Sequence, residues 1–171
     1  MEKITYLIDA NSLITPNNSF YPFEWAPGFW EQIEKAIVEG NIAILDMVKA
    51  EILQGKDKLK EWMEQLDIGN YIDHRDSDIL KKYGEILEYV HDAKCYKEAA
   101  VYEWSKEEVA DPWLIATASC KNCVLVTLEK SGNPNPIQPA REAKIPDVAS
   151  VFGVKTIDLF KMMQELKFRL N

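Results

Sequence analysis

The chain has 171 residues, 47% of them apolar, which is enough for one domain with a sizeable core. Its formal net charge of −8 excludes a nucleic-acid surface built on bulk positive charge, unless several acids converge on divalent cations that supply that charge locally. No apolar run approaches the roughly 20 residues that span a bilayer, and MEKITYLIDANS lacks the layout of a secretory signal, so a cytoplasmic protein with no membrane partner is expected.

In chain order, Ile4–Ile8 is an apolar run of strand formers ending at Asp9, and reads as a buried strand. A short helix follows from Asn11, then a loop marked by Pro16, Asn17 and Asn18. Pro27 and Gly28 precede a helical pattern from Phe29 to Glu39, which Gly40 stops. Ile42–Leu45 is a second buried strand. Asp46 suits the cap of a helix that Gly55 ends, and another helix covers Lys58–Leu66. Ile79, Tyr83, Ile86, Leu87 and Val90 recur at helical spacing over Asp78–His91. Further helices are expected over Tyr96–Trp104 and from Asp111 to Ser119. Val124–Thr127 is a third strand. Glu129–Lys144, with Pro134, Pro136 and Pro139, is a loop. A short helix over Pro146–Phe152, a strand over Val154–Thr156 and a helix from Asp158 close the chain.

Strands separated by helices predict a parallel sheet with helices on both faces, an α/β fold in a single domain over 1–171. Ligands of such folds bind at the carboxyl ends of the strands. Asp9 and Glu129 lie at or just past such ends, and Glu51 and Asp111 lie on helices able to reach the same edge. Each acid also has a plain structural alternative. Asp9, Asp111 (followed by Pro112) and Asp147 suit helix caps, Asn11 suits a turn, Glu51 suits a solvated helix face, and Glu129 suits an ordinary loop.

Read together, these pieces have a pattern. YLIDANSLI, VKAEIL, ADPWLIATA and VLVTLE resemble, in order and spacing, the motifs of the PIN-domain superfamily, which includes VapC-like ribonuclease toxins. The resemblance spans roughly the whole chain. KIPDVASVFGVKTIDLF and the aromatic insert YPFEWAPGFW resemble one PIN-like subfamily. The resemblance implies a three-layer α/β/α fold and a metal-dependent endoribonuclease. It places catalytic acids at Asp9, Glu51, Asp111 and Glu129, the first three as metal ligands, with Asn11 and Thr127 in support. The family's fourth acid is Asp or Asn, so Glu129 is a departure and Asp147 a substitute for it. Lys49, Lys130, Arg141 and Lys144 are basic candidates near the site. RNA is the implied substrate, and an antitoxin protein and a homodimer are the implied partners.

Physical chemistry favours the metal. Two carboxylates about 4 Å apart repel by about 4 kcal/mol at an effective dielectric near 20, so a cluster takes up protons or recruits a cation. An all-oxygen set suits Mg²⁺ or Mn²⁺, which lowers the pKa of a bound water and neutralises phosphate charge.

Competing readings are thinner. Cys120 and Cys123 have C-x-x-C spacing, but Cys120 falls at a helix end, whereas reactive cysteines favour helix N-termini. An aspartyl phosphotransferase with Asp9 as nucleophile would have Asn11 where that chemistry uses a second Asp. A binding module with little catalysis is the alternative from another class. The rings of Phe20, Tyr21, Phe23, Trp25, Phe29 and Trp30 either fill a satellite core or leave Tyr21 and Trp25 free to stack on RNA bases.

Overall fold

A computed structural model describes residues 3, 5–66 and 71–170. Four strands, β1 (Tyr6–Ile8), β2 (Ile42–Ala43), β3 (Val124–Val126) and β4 (Thr156–Ile157), form one parallel sheet in the order β2-β1-β3-β4. Helices flank the sheet, giving the expected three-layer α/β/α fold. β1 and β2 pair with Tyr6 opposite Ile42 and Leu7 opposite Ala43. All three residues of β1 are buried, as an inner strand of a parallel sheet requires. Ile4, assigned to this strand from sequence, lies outside the described residues.

The chain divides into two compact units. The first comprises Met1–Asp73, Val126–Leu128 and Ile157–Asn171. It contains α1 (Asn11–Asn18), α2 (Pro27–Val38), α3 (Asp46–Leu53), α4 (Lys58–Gln65) and α9 (Leu159–Glu165). The second comprises His74–Leu125 and Glu129–Thr156, with α5 (Ser77–Asp92), α6 (Glu98–Trp104), α7 (Asp111–Lys121) and α8 (Ile145–Val151).

In the first unit, helix α1 runs through Pro16 to Asn18, where the sequence reading expected a loop. Proline removes one helical donor near the end of this short helix, and its ring is buried there. The backbone carbonyl of Pro16 then accepts from the N–H groups of Ser19 and Tyr21, turning the chain into the aromatic segment. Proline at the start of α2 supplies the helical φ, and Gly40, at φ +74°, ends the following turn. β2 is shorter than expected, because the N–H of Asp46 and the carbonyl of Ile44 bond Ile72 instead. The final strand is Thr156–Ile157, one or two residues later than the alternation suggests. Asp158 caps α9 by accepting from the Lys161 N–H at 2.7 Å. The Tyr6 hydroxyl donates to Glu165 at 2.6 Å, tying β1 to α9. Burial, then this bond, push the phenol up to about 12.

Two rings of the aromatic insert, Phe29 and Trp30, belong to the core, and the half-buried Tyr21 and Phe23 pack on them. Phe29 is fully buried, with Tyr21 stacked on it at 4.7 Å and Trp30 edge-on at 5.0 Å. Phe23 stacks on Trp30 at 4.1 Å, and the Trp30 indole donates to the Tyr21 carbonyl at 2.8 Å. Trp25 is the most open of these rings, 85% exposed, and Phe20 is exposed as well.

In the second unit, α7 is buried from Pro112 to Ala118, matching its almost unbroken apolar sequence. Trp113 stacks face-to-face on Tyr83 of α5 at 3.6 Å. Asn122, in the left-handed region at φ 52°, ends α7. The Leu125 N–H donates to the Lys155 carbonyl at 2.9 Å. Among the described residues, no helix is long and apolar enough to cross a membrane.

Phe29→Ala empties a fully buried aromatic site and is expected to cost 3–5 kcal/mol in denaturant unfolding, on the order of other Phe truncations; a loss below about 1 kcal/mol would show that this ring is not a core element.

Candidate active site

The strongest local signal of the sequence, Asp9, sits at the carboxyl end of β1 and is only 5% exposed. Its backbone N–H donates to the Val126 carbonyl at 2.9 Å, continuing the ladder one residue beyond the strand. The Thr127 hydroxyl donates to Asp9 Oδ2 at 3.0 Å. Thr127 is buried and held by its own N–H, which donates to the Ile157 carbonyl at 3.0 Å. The chain turns into α1 at once after Asp9, so the acid lies beside that helix's first turn. Asn11 is exposed, and the buried neighbour Ser12 makes a long contact to the Val126 carbonyl at 3.4 Å. The resemblance sets Asn11 beside Asp9 and Thr127 two residues before Glu129; the bond from Thr127 to Asp9 is a finding of the structure.

Glu51 lies on α3 with an exposed side chain. The protein mass around it still withdraws enough water to push its carboxyl above the ordinary value. Lys49, two residues earlier, places its ammonium 4.0 Å from the Tyr71 ring centre, a cation–π contact.

In the second unit, Asp111 is the first residue of α7, with Ala110 in the cap position and no side-chain cap bond. The cap role that Asp111-Pro112 suggests in the sequence is therefore not the one adopted. The helix macrodipole still favours an ionised carboxylate there. Asp111 lines a recess of about 420 Å³ together with Glu103, Glu129, Arg141, Glu142 and Lys144. Glu129 Oε2 accepts from the Ile145 N–H at 2.8 Å and so closes the N-terminus of α8. The Lys144 ammonium donates to Glu142 at 2.7 Å. That bond raises the lysine pKa, with Glu129 and Asp111 adding to the effect, so Lys144 stays charged among these acids.

Asp147 is engaged elsewhere. Its carboxylate accepts from the Ser131 hydroxyl and from the Gly132 N–H, the latter at 2.9 Å, clamping the start of the proline-rich loop. Lys130 is exposed on the same loop. Glu103 and Glu142 line the recess although nothing in their local sequence separates them from solvated acids. The cysteines offer no reactive thiolate pair. Burial pushes the thiols of Cys120 and Cys123 up, and all three cysteines are free.

Residues 6–170 match the family described as Domain of unknown function (DUF4411). The chain belongs to that family. No curated protein matches it. For this DUF4411 chain the arrangement offers two sets of oxygen donors, each described within its own unit. One is a buried, hydroxyl-supported carboxylate at a strand end, and the other a carboxylate-lined recess with a lysine and an arginine.

The raised carboxyl of Glu51 has a pH signature. Its folded form holds a proton over the interval just above the ordinary value of 4.5, so stability falls as pH rises through that interval. Glu51→Gln is expected to be slightly more stable than the parent at pH 7, by less than about 1 kcal/mol given solvent screening. The gap should close below pH 4. Equal stability across pH 4–7 would show that Glu51 carries no desolvation cost.

Proposed function

We propose that this DUF4411 protein is a PIN-like, Mg²⁺- or Mn²⁺-dependent endoribonuclease. The observation that carries the reading is Asp9, a carboxylate buried at the end of an inner parallel strand and held by a threonine hydroxyl. Burying a carboxylate costs several kcal/mol, so a protein keeps one at a strand end when a cation or a reaction uses it. The motif resemblance assigns the metal to Asp9, Glu51 and Asp111. The desolvation of Glu51 supports it.

In this reading Thr127 orients Asp9 through its Oδ2. Lys144 and Arg141, lining the recess with Asp111, attract phosphate oxygens and offset the surrounding acids. Glu129 acts through the backbone, holding the α8 N-terminus that Lys144 precedes. A bound divalent ion would supply an activated water and neutralise charge on the phosphate. The expected product pair arises by hydrolysis with no covalent enzyme intermediate.

The protein should cleave single-stranded RNA in Mn²⁺ or Mg²⁺ and stop in EDTA. Asp9→Asn and Asp111→Asn, assayed separately, should each lower cleavage at least 100-fold. Asp111→Asn should cost no more than about 1 kcal/mol of stability. Activity that survives both substitutions would discard the reading. A catalytically weak binding module is the second reading, favoured by Glu129 being used to close a helix. RNA binding without cleavage in any divalent ion would support it.

The toxin role, with an antitoxin partner in the cytoplasm, rests on the resemblance alone. Overexpression is then expected to arrest growth of a bacterial host, and Asp9→Ala to relieve the arrest. Arrest that persists in Asp9→Ala would remove nuclease toxicity as the cause.

A further inference from the structure

Within the second unit, the recess takes its charges from different elements. Helices α6 and α7 supply the acids Glu103 and Asp111, while both of its cations, Arg141 and Lys144, come from the proline-rich loop between Glu129 and Lys144. A loop presents a charge at a fixed place only when its own backbone is fixed. At the tip, Asn135 Oδ1 accepts from the N–H groups of Ile137 and Gln138, at 3.1 and 2.9 Å. Further on, the Ala140 N–H donates to the Cys95 carbonyl and the Ala140 carbonyl accepts the Lys97 N–H, each at 2.8 Å, which pins the residue before Arg141. The base is closed on the first turn of α8, where Glu129 bonds Ile145, and Asp147 bonds Ser131 and Gly132.

Asp147 lies in the first turn of α8, at the position where an acid ordinarily bonds back to the backbone of the helix start. Its oxygens are turned to the loop instead. Oδ1 accepts the Ser131 hydroxyl, and Oδ2 accepts the Gly132 N–H at 2.9 Å. Ser131 Oγ in turn accepts the Asn133 N–H at 3.1 Å, so one carboxylate sets the path from Ser131 to Asn133. Gly132 is thereby laid against the stem of Lys144. A Cβ on Gly132 would stand 3.6 Å from Lys144 Cγ and 3.7 Å from Asp147 Oδ2. The Lys144 ammonium bonds Glu142 at 2.7 Å and also feels Glu129 and Asp111, which sets it on the recess side. A lysine whose stem is already held loses less side-chain freedom when an anion arrives.

We propose that Asp147 is a positioning residue, which through Ser131 and Gly132 holds the Lys144 side chain toward the recess, where its ammonium receives a phosphate of single-stranded RNA. The identity of the anion rests on the ribonuclease reading, and the role of Asp147 rests on the loop geometry. Both oxygens of Asp147 are engaged by the loop, so it acts through Lys144 and not on the reacting atoms. An ammonium has three donors, so Lys144 keeps Glu142 and still meets a phosphate oxygen.

The test uses the full chain and a fluorescent oligouridine in Mn²⁺, with the melting temperature of every variant recorded. Removing an acid beside a polyanion site should by itself lower KM. Asp147→Ala is expected to do the opposite. It should raise KM about 5-fold, part of the roughly 10-fold or more that deleting a hydrogen bond to a charged group costs, and should lower kcat less. Asp147→Asn removes the charge but keeps an acceptor oxygen for the Gly132 N–H, and should bring KM back to the parent value or below it. Ser131→Ala, an exposed change that removes one of the two bonds, should raise KM by a smaller factor, and it serves where Asp147→Ala fails to fold. Lysine reactivity supplies a readout that needs no cleavage. The Lys144 side chain is 34% exposed, so its release in Asp147→Ala should speed its acetylation by acetic anhydride about 3-fold, measured by mass spectrometry against the exposed Lys97. A KM in Asp147→Ala at or below that of the parent overturns the proposal, as does unchanged acetylation of Lys144. A parent that cleaves nothing discards the ribonuclease reading, and the positioning of Lys144 by Asp147 then stands or falls on the acetylation alone.

Discussion

Placing a negative charge at the end of an inner strand is the constraint around which the first unit is organised. Asp9 donates its backbone N–H to Val126 and accepts the Thr127 hydroxyl on its carboxylate. One residue thus continues the sheet ladder and carries a buried carboxyl group. A charge-assisted hydrogen bond contributes about 1.5–3 kcal/mol, against a desolvation cost of several kcal/mol for the carboxylate. Thr127 therefore does more than fill space. Valine would match its shape and β-propensity, but it would leave the carboxylate without this donor. The direction of the strand matters equally, because the buried run Tyr6–Ile8 delivers Asp9 to the edge where parallel sheets receive ligands.

The sheet and most helices were legible because their signals are local and redundant. Buried strands read as short apolar runs ending in polar residues, and helices carried a 3.6-residue period bounded by proline, glycine or aspartate. Where the reading failed, tertiary burial overrode a local rule. Pro16 marks a loop by propensity, yet its ring is buried within α1. Ile44 and Leu45 extend the second strand by composition, but Ile72 captures the backbone groups around them from a distance of nearly thirty residues. No window of sequence contains that competition.

The acids show why site residues are harder to read than elements. Aspartate is both a favoured cap and a favoured ligand, so its neighbours in sequence do not separate the roles. Asp57, Asp76 and Asp158 use their side chains to cap α4, α5 and α9. Asp111 stands beside a proline at a helix start, yet Ala110 holds the cap position of α7. Asp147 looks interchangeable with it in sequence but clamps Ser131 and Gly132. Glu129 stands where the resemblance to PIN domains implies a shorter acid, and its extra methylene lets the carboxylate reach the Ile145 N–H sixteen residues on. The length of that side chain thus converts a motif position into a helix-closing contact. Only the order and spacing of the four segments pointed to a shared chemistry.

The aromatic insert separates two demands that composition alone merges. Stacking Phe23 on Trp30 and Tyr21 on Phe29 removes large apolar surfaces from water and fastens α2 to the loop before it. The same thermodynamics should bury Trp25, whose indole equals that of the buried Trp30, yet the chain folds it outward on a hydrogen-bonded turn. An indole left in water forgoes about 1.5–3 kcal/mol that burial of a large apolar side chain provides. Five neighbouring rings found partners within a few residues or on a nearby element, so the local sequence did not lack a way to cover it.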